Sequence, residues 1–301
     1  MGEIFSPGKL MLTSEYFAID GALVLAVPTK LGQEFFFDEK TDGKSIVFWE
    51  AYHQNKLWLK AVIDYKNWKI IETNIQSNAE FILKVLKNVQ HLSGTQLQST
   101  HSYFLKTNLQ FPADYGLGSS STLMNNLAEW AEINPFTLNE ISLGGSGYDI
   151  AVAKEKSAVL FQNKPEIHFE KVDFNPKFKN ELLFIHLNQK QDSREGIQLY
   201  KSKKKSQNLI DKFSNLTRNI LLCNELENFS QLMMKHEQEI SDFIEIPTVS
   251  ERFFSDCPSF VKSLGAWGGD FVMTSKFDSY ETYFSGKGFQ TVFEWRDVIY
   301  S

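Results

Sequence analysis

The sequence predicts an α+β protein, and three observations carry that prediction. Residues 23–72 fall into short runs of alternating apolar and polar positions. Helical periodicity enters the first half in short stretches and dominates from Asp192 to about Leu264, and strand-like runs return at the end. With 301 residues, 42% of them hydrophobic, the chain is long enough to bury a core as one large domain or two of ordinary size.

The opening "MGEIFSPGKLML" leads into a strand. The runs "LVLAV", "QEFFFDE", "SIVFWEA" and "KLWLKAVIDY" alternate with a period of two and are separated by turn signals at Asp42-Gly43 and Lys66-Asn67, which predicts antiparallel sheet. "SNAEFILKVLKNVQHLS" then places Ala79, Ile82, Val85, Leu86 and Val89 on one helical face, with Ser77 or Asn78 as N-cap. "HSYFLKTNL" reads as a strand that delivers the chain to "DYGLGSSSTLMNNLAEW", a turn followed by a helix through about Ala131. "SAVLF", "EIHFEKV" and "ELLFIHL" are strand-like, as are "DFVMTS" and "FQTVFEW" near the end, and the "KSKKKS" run at 201–206 reads as a solvated helix face. The Asn175-Pro176 step sets the expected boundary, giving domains 1–175 and 176–301.

Charge and cysteine content exclude several classes. Lys and Arg total 31 against 37 Asp and Glu, so a net charge of −6 argues against a domain-wide basic face for nucleic acid. Any anionic ligand must therefore be met by local donors. Two cysteines, Cys223 and Cys257, form no metal or disulfide spacing. No basic, apolar leader opens the chain and no apolar run reaches a membrane span, so the expectation is a cytoplasmic protein without membrane contact. The oligomeric state leaves no signal in the sequence.

The stretch Gly116-Leu117-Gly118-Ser119-Ser120-Ser121, set between a strand and a helix, has the makings of an anion cradle. A helix start presents free backbone N–H groups and the positive end of its dipole, which together bind phosphate. Glycines let the main chain approach the anion, and serine hydroxyls add hydrogen bonds or ligate a magnesium ion riding on the phosphates. The same residues also fit a serine-capped helix after a tight turn. The common fingerprints fail: Gly43-Lys44-Ser45 lacks the first glycine of a P-loop, Gly116-x-Gly118-x-x-Ser121 lacks the third glycine of the dinucleotide pattern, and His236-Glu237 lacks the second histidine of HExxH. Protein-kinase and serine-hydrolase strings are likewise missing.

Three stretches in order, "SPGKLMLTSEYFAIDGALVLAVPT", "PADYGLGSSST" and "LGGSGYDIAVA", together resemble the GHMP kinase superfamily. The opening is most similar to the mevalonate and phosphomevalonate kinase branch, and Gly147-Tyr148-Asp149-Ile150-Ala151 resembles the subgroup labelled GYDIA. The resemblance implies a two-part fold, with a ribosomal S5 domain 2-like N-terminal part and a ferredoxin-like C-terminal part. It implies ATP and Mg2+ as cofactors, with Gly116 to Ser121 around the triphosphate and Ser120 assisting the metal. Asp149 matches the aspartate that orients or deprotonates the acceptor hydroxyl, and Lys9 the lysine near that carboxylate and the transferred phosphoryl group. The residues alone would also fit a surface lysine on a strand and an N-cap aspartate.

By the same resemblance Glu140 is the nearest match to a magnesium glutamate. Lys190, Ser193 and Arg194, in "NQKQDSREG", match a loop facing an anionic acceptor and equally suit a solvated loop, whereas Glu15, in "SEY", is read as structural. The chemistry is coherent, because phosphoryl transfer needs positioning and charge neutralisation more than covalent help. The implied activity is transfer of the γ-phosphoryl group of ATP to a small-molecule hydroxyl or phosphate acceptor, plausibly mevalonate- or phosphomevalonate-like. The third family motif departs: a glycine-rich turn becomes Gly265-Ala266-Trp267-Gly268-Gly269-Asp270, which brings a carboxylate to a loop the family keeps neutral. That departure motivates the alternative of a degenerate member that binds nucleotide without transferring phosphate.

Overall fold

The computed structural model describes residues 1–188, 193–265 and 269–300. The chain forms two compact units. The first comprises Met1–Gly8, Leu31–Ala113 and Leu117–Lys154, and the second Lys9–Lys30, Asp114–Gly116 and Glu155–Ser301. Strands β1 (Gly2–Met11) and β2 (Val24–Thr41) pair with each other, and each contributes residues to both units. The expected boundary near 175 thus falls inside the second unit. The reason is pairing: β7 (Val159–Gln162) joins Val24–Ala26 of β2, and β8 (His168–Lys171) joins β7.

In the first unit the strand order is β5 (Lys69–Thr73), β4 (Lys56–Asp64), β3 (Ile46–His53), β6 (His101–Leu109), β2. Two expectations need correction. "LVLAV" and "QEFFFDE" belong to one 18-residue strand, and β3 pairs with β6 in parallel, from Ile46↔Ser102 to His53↔Leu109. The parallel pair arises because α1 (Gln76–Ser93) lies in the connection that returns the chain to β6, and a parallel pair requires such a crossover. The five predicted residues of α1 are all buried, but the helix starts at Gln76, after an extended Ile75 with no side-chain cap. The Thr73 hydroxyl accepts the Ile75 N–H at 3.2 Å, which leads the chain into the helix earlier.

Helices α1, α2 (Ser119–Trp130) and α3 (Pro135–Ser142) and the Ile150 of α4 (Tyr148–Glu155) close over one core with Phe35, Trp49, Tyr103 and Leu105 of the sheet. Each such large side chain, once buried, contributes about 1.5–3 kcal/mol. The helix α2 is also fastened by buried polar groups, since Thr122 donates to Gln33 Oε1 at 3.1 Å and Asn126 donates to the Gln33 carbonyl at 2.9 Å. Ser6 donates to Asn126 Oδ1 at 2.7 Å. Buried polar groups paired in this way fix a single register for the helix against β1 and β2.

The second unit holds a four-stranded antiparallel sheet in the order β10 (Lys262–Leu264), β11 (Phe271–Ser275), β9 (Leu182–His186), β12 (Val292–Glu294). Helices α5 (Ser193–Ser202), α6 (Gln207–Leu221), α7 (Leu226–Ile244) and α8 (Val249–Phe253) fall between β9 and β10, and α9 (Tyr280–Gly286) between β11 and β12. This is the split β-α-β arrangement of a ferredoxin-like sheet, as expected. "FQTVFEW" is a strand only through Glu294, because Glu294 and Asp297 form a capping box that starts α10 (Trp295–Val298). The "KSKKKS" run is largely solvated but helical only at its start: α5 ends at Ser202, Lys203 pairs with Glu245 at 2.8 Å, and Lys205 lies 4.3 Å over the Tyr200 ring.

Candidate functional site

The glycine-serine turn folds as a bare helix start. The N-cap of α2 is Gly118, with φ +85°, and no side chain caps the helix, so the serine-capped alternative is not the one the chain adopts. The start of α2 thus has no side-chain cap, the state suited to an anion. Leu117 is buried and anchors the turn, while Ser119 and Ser120 line a cleft of about 400 Å³ in the first unit.

Trp49, His53 and Trp58 from β3 and β4, with Asn78 and Phe81 from α1, form much of the remaining wall of that cleft. Sequence reasoning missed these residues. They come from three separate elements, and only the sheet register brings them to the start of α2.

Ser121 is buried, and its hydroxyl donates to Asp149 Oδ2. Asp149 is the second residue of α4, and its other oxygen accepts the Ile150 N–H at 3.1 Å. It is therefore more than a helix-start carboxylate: the turn at Ser121 and the aspartate motif, 28 residues apart, are joined.

Lys9 is not simply a surface residue on a strand. Its ammonium donates to the Gly116 carbonyl at 2.9 Å, within the second unit, so the lysine is tied to the first glycine of the turn. Gly116 has φ +65°, and a Cβ there would overlap the Asp270 carboxylate. No other residue fits, because both the left-handed backbone and the space are reserved. Asp270 is 8% exposed; Ala266, Trp267 and Gly268 of the same altered motif lie outside the described residues.

The remaining expected residues are more dispersed. Glu140 is exposed on α3. Lys190 lies outside the described residues, and Ser193 and Arg194 open α5. Just beyond them Gly196 packs on Tyr16 so closely that a Cβ would overlap the phenol oxygen. Among the described residues no group of three or more His, Cys, Asp or Glu side chains could hold a metal.

A buried charge cluster accompanies the "SEY" turn. Lys262, fully buried, binds Glu15 and lies 3.3 Å from Glu237. His236 Nε2 accepts the Ser14 N–H at 2.7 Å, which leaves Nδ1 carrying the proton, 3.7 Å from Glu15. Burial pushes the Glu15 carboxyl up to about 7 despite the pull of Lys262, and raises Glu237 as well. Burial and the Lys262 charge hold His236 neutral, well below the usual histidine range. Glu15 thus sits in a buried ion cluster, in keeping with a structural role. Lys262 and Glu237 were not foreseen, although a lysine directly after Phe260-Val261 in "FVKSLGAW" is an unusual strand residue.

No family model matches this chain, and no curated protein matches it in sequence. Its fold is nonetheless similar to those of several solved small-molecule kinases. Among solved structures, the Methanococcus jannaschii mevalonate kinase is similar over 97% of this chain and 96% of its own length, with a TM-score of 0.68 and 16% identity. The Streptococcus pneumoniae phosphomevalonate kinase in complex with phosphomevalonate and AMPPNP is similar over 98% and 100%, with a TM-score of 0.67 and 16% identity. The Lactococcus lactis galactokinase complexed with galactose is similar over 97% and 92%, at 0.64 and 14%.

Proposed function

We propose that this protein is an ATP- and Mg2+-dependent small-molecule kinase. The observation that carries the reading is the hydrogen bond from Ser121 to Asp149, which sets a carboxylate beside the uncapped start of α2. The residues fit the nucleotide. Gly116 to Ser121 would cradle its phosphates, and the 400 Å³ cleft has the size and aromatic lining of a small-ligand site, taking the base beside Trp58 and His53. Mg2+ would ride on the phosphates with Ser120 and one carboxylate, for which Glu140 is the candidate. The metal would supply neutralisation of charge spreading over the transferred group.

Asp149 accepts the proton of the acceptor hydroxyl or orients it, and the Ser121 hydroxyl holds the carboxylate in place. Lys9 braces Gly116 and adds positive charge toward the phosphoryl group. The acceptor is an alcohol or phosphate of the mevalonate or phosphomevalonate type, met by Lys190, Ser193 and Arg194. A cytoplasmic location and the absence of nucleic-acid and membrane partners complete the proposal. No helix among the described residues is long and apolar enough to cross a membrane.

Isothermal titration of Mg-ATP into wild type and Ser120→Ala, followed by an ATP-consumption screen with mevalonate, phosphomevalonate, homoserine and sugar acceptors, tests this. Weaker binding in the variant together with turnover on one acceptor supports the kinase; absence of ATP binding rejects it. The Asp270 carboxylate standing against Gly116 favours the alternative of a member that binds nucleotide without transferring phosphate. Binding without turnover on any acceptor would support that second reading.

A further inference from the structure

The second unit contains a cleft of about 530 Å³ that the proposed phosphoryl transfer does not use. Its apolar side is built by Trp295 and Phe174, whose ring centroids are 5.8 Å apart, together with Pro28 and Ile299. The wall is held by backbone pairing. Thr29 bridges Ile299, the Tyr300 N–H donates to the Pro28 carbonyl at 3.0 Å, and the Val172 N–H donates to the Ala158 carbonyl at 3.0 Å. Trp295, Phe174 and Ile299 are all buried. The cleft is thus a formed concavity with an apolar wall edged by two tilted aromatic rings, of the size of an ordinary small-ligand site.

Its polar lining is cationic. Among the described residues, Lys156, Lys171 and Lys179 line the cleft, against the acidic side chain of Asp173. Lys171 pairs with Glu155 at 2.9 Å, and Lys179 donates to Asn175 Oδ1 at 2.7 Å, so these two ammonium groups are held by defined partners. Lys156 takes a left-handed backbone with φ +50°, in the turn between α4 and β7, where a glycine would be less strained. A net positive lining is unusual on a chain whose formal charge is −6, and in a concave site it raises the local concentration of anions.

We infer that this cleft binds a small anion carrying an apolar ring, its carboxylate or phosphate head at the lysines and its ring against Trp295 and Phe174. Neither half suffices alone: inorganic phosphate forgoes the aromatic wall, and a neutral aromatic alcohol forgoes the charge. The inference does not depend on the nucleotide reading, since no residue is shared with the cleft that holds Ser120.

Titration of phenyl phosphate and of benzoate into the full chain, with inorganic phosphate and benzyl alcohol as controls, tests it. At least one aryl anion should bind with an affinity at least tenfold above both controls, and the stronger of the two identifies the head group. The double variant Lys156→Gln/Lys179→Gln should weaken that binding at least tenfold with an unchanged thermal transition, while Ser120→Ala and saturating Mg-ATP leave it as it was. No binding of either aryl anion, equal binding in the double variant, inorganic phosphate binding as well as phenyl phosphate, or competition by Mg-ATP would each overturn the inference.

Discussion

The Ser121 hydroxyl donates to the Asp149 carboxylate, so the first turn of α2 and the second residue of α4 hold one another. Ser121 orients Oδ2 and the Ile150 N–H holds Oδ1, and a carboxylate oxygen that accepts one hydrogen bond keeps a lone pair for a second donor. In the proposed reaction that second donor is the acceptor alcohol. Asp149→Asn should therefore reduce turnover by about 10²- to 10⁴-fold, the usual contribution of a positioned base. ATP affinity measured by titration should stay within a few-fold of wild type. Ser121→Ala should cost less, about tenfold, because it removes only the orientation. Undiminished turnover in Asp149→Asn would remove the aspartate from the mechanism.

Gly116 is constrained twice, by its left-handed backbone and by the Asp270 carboxylate. Gly116→Ala should weaken nucleotide binding, with about 1–2 kcal/mol of the cost coming from the backbone alone. Adding Asp270→Gly relieves the steric share, so the double variant should bind more tightly than Gly116→Ala by itself. Equal dissociation constants for the single and double variants would show that the carboxylate is not what excludes a side chain.

Trp58 is 39% exposed and lines the cleft beside Ser120, so it can be truncated without opening the core. Trp58→Ala should lose about 1–3 kcal/mol of ATP affinity, the range for a base stacked on an aromatic ring. The thermal transition should move little. A variant that binds ATP as tightly as wild type would place the base elsewhere.

Lys262→Met would strand two buried carboxylates and should destabilise the fold by about 3–5 kcal/mol at neutral pH. The sign of its pH dependence follows from burial. Glu15 at about 7 and Glu237 above its ordinary value take up protons in the folded state before the unfolded chain does, so their contribution is full below the unfolded carboxyl range and lost as pH rises through the folded value. Removing Lys262 raises both further. His236, held low, works oppositely below about 6.5. With two carboxylates against one histidine, the melting temperature of Lys262→Met should rise between pH 8 and 5 by more than that of wild type. A flat or opposite profile would show that the cluster is not proton-linked in this way.

Features whose physics is local were legible in the order of residues. The five-residue apolar stripe of α1 needs only the helical period, and all five are buried. The glycine-serine turn needs only a left-handed glycine and a helix behind it, and Gly118 supplies both. The strand limits of "HSYFLKTNL" match β6. Chain-local rules were weaker where a partner decides. The N-cap of α1 shifted because Thr73 accepts the Ile75 N–H, the parallel pairing of β3 with β6 depended on a crossover, and the second unit includes Val24–Ala26 because β7 pairs with them.

The sequence by itself determined the α+β class and the place of the glycine-serine helix start. Only the tertiary structure decided that Ser121 holds Asp149, that His53 and Trp58 share a cleft with Ser120, and that Lys262 finds Glu15 across 247 residues. The physical reason is that helix periodicity and turn conformation depend on neighbours within a few bonds. Side-chain pairing depends on which elements the hydrophobic core brings together, and that is a property of the whole fold.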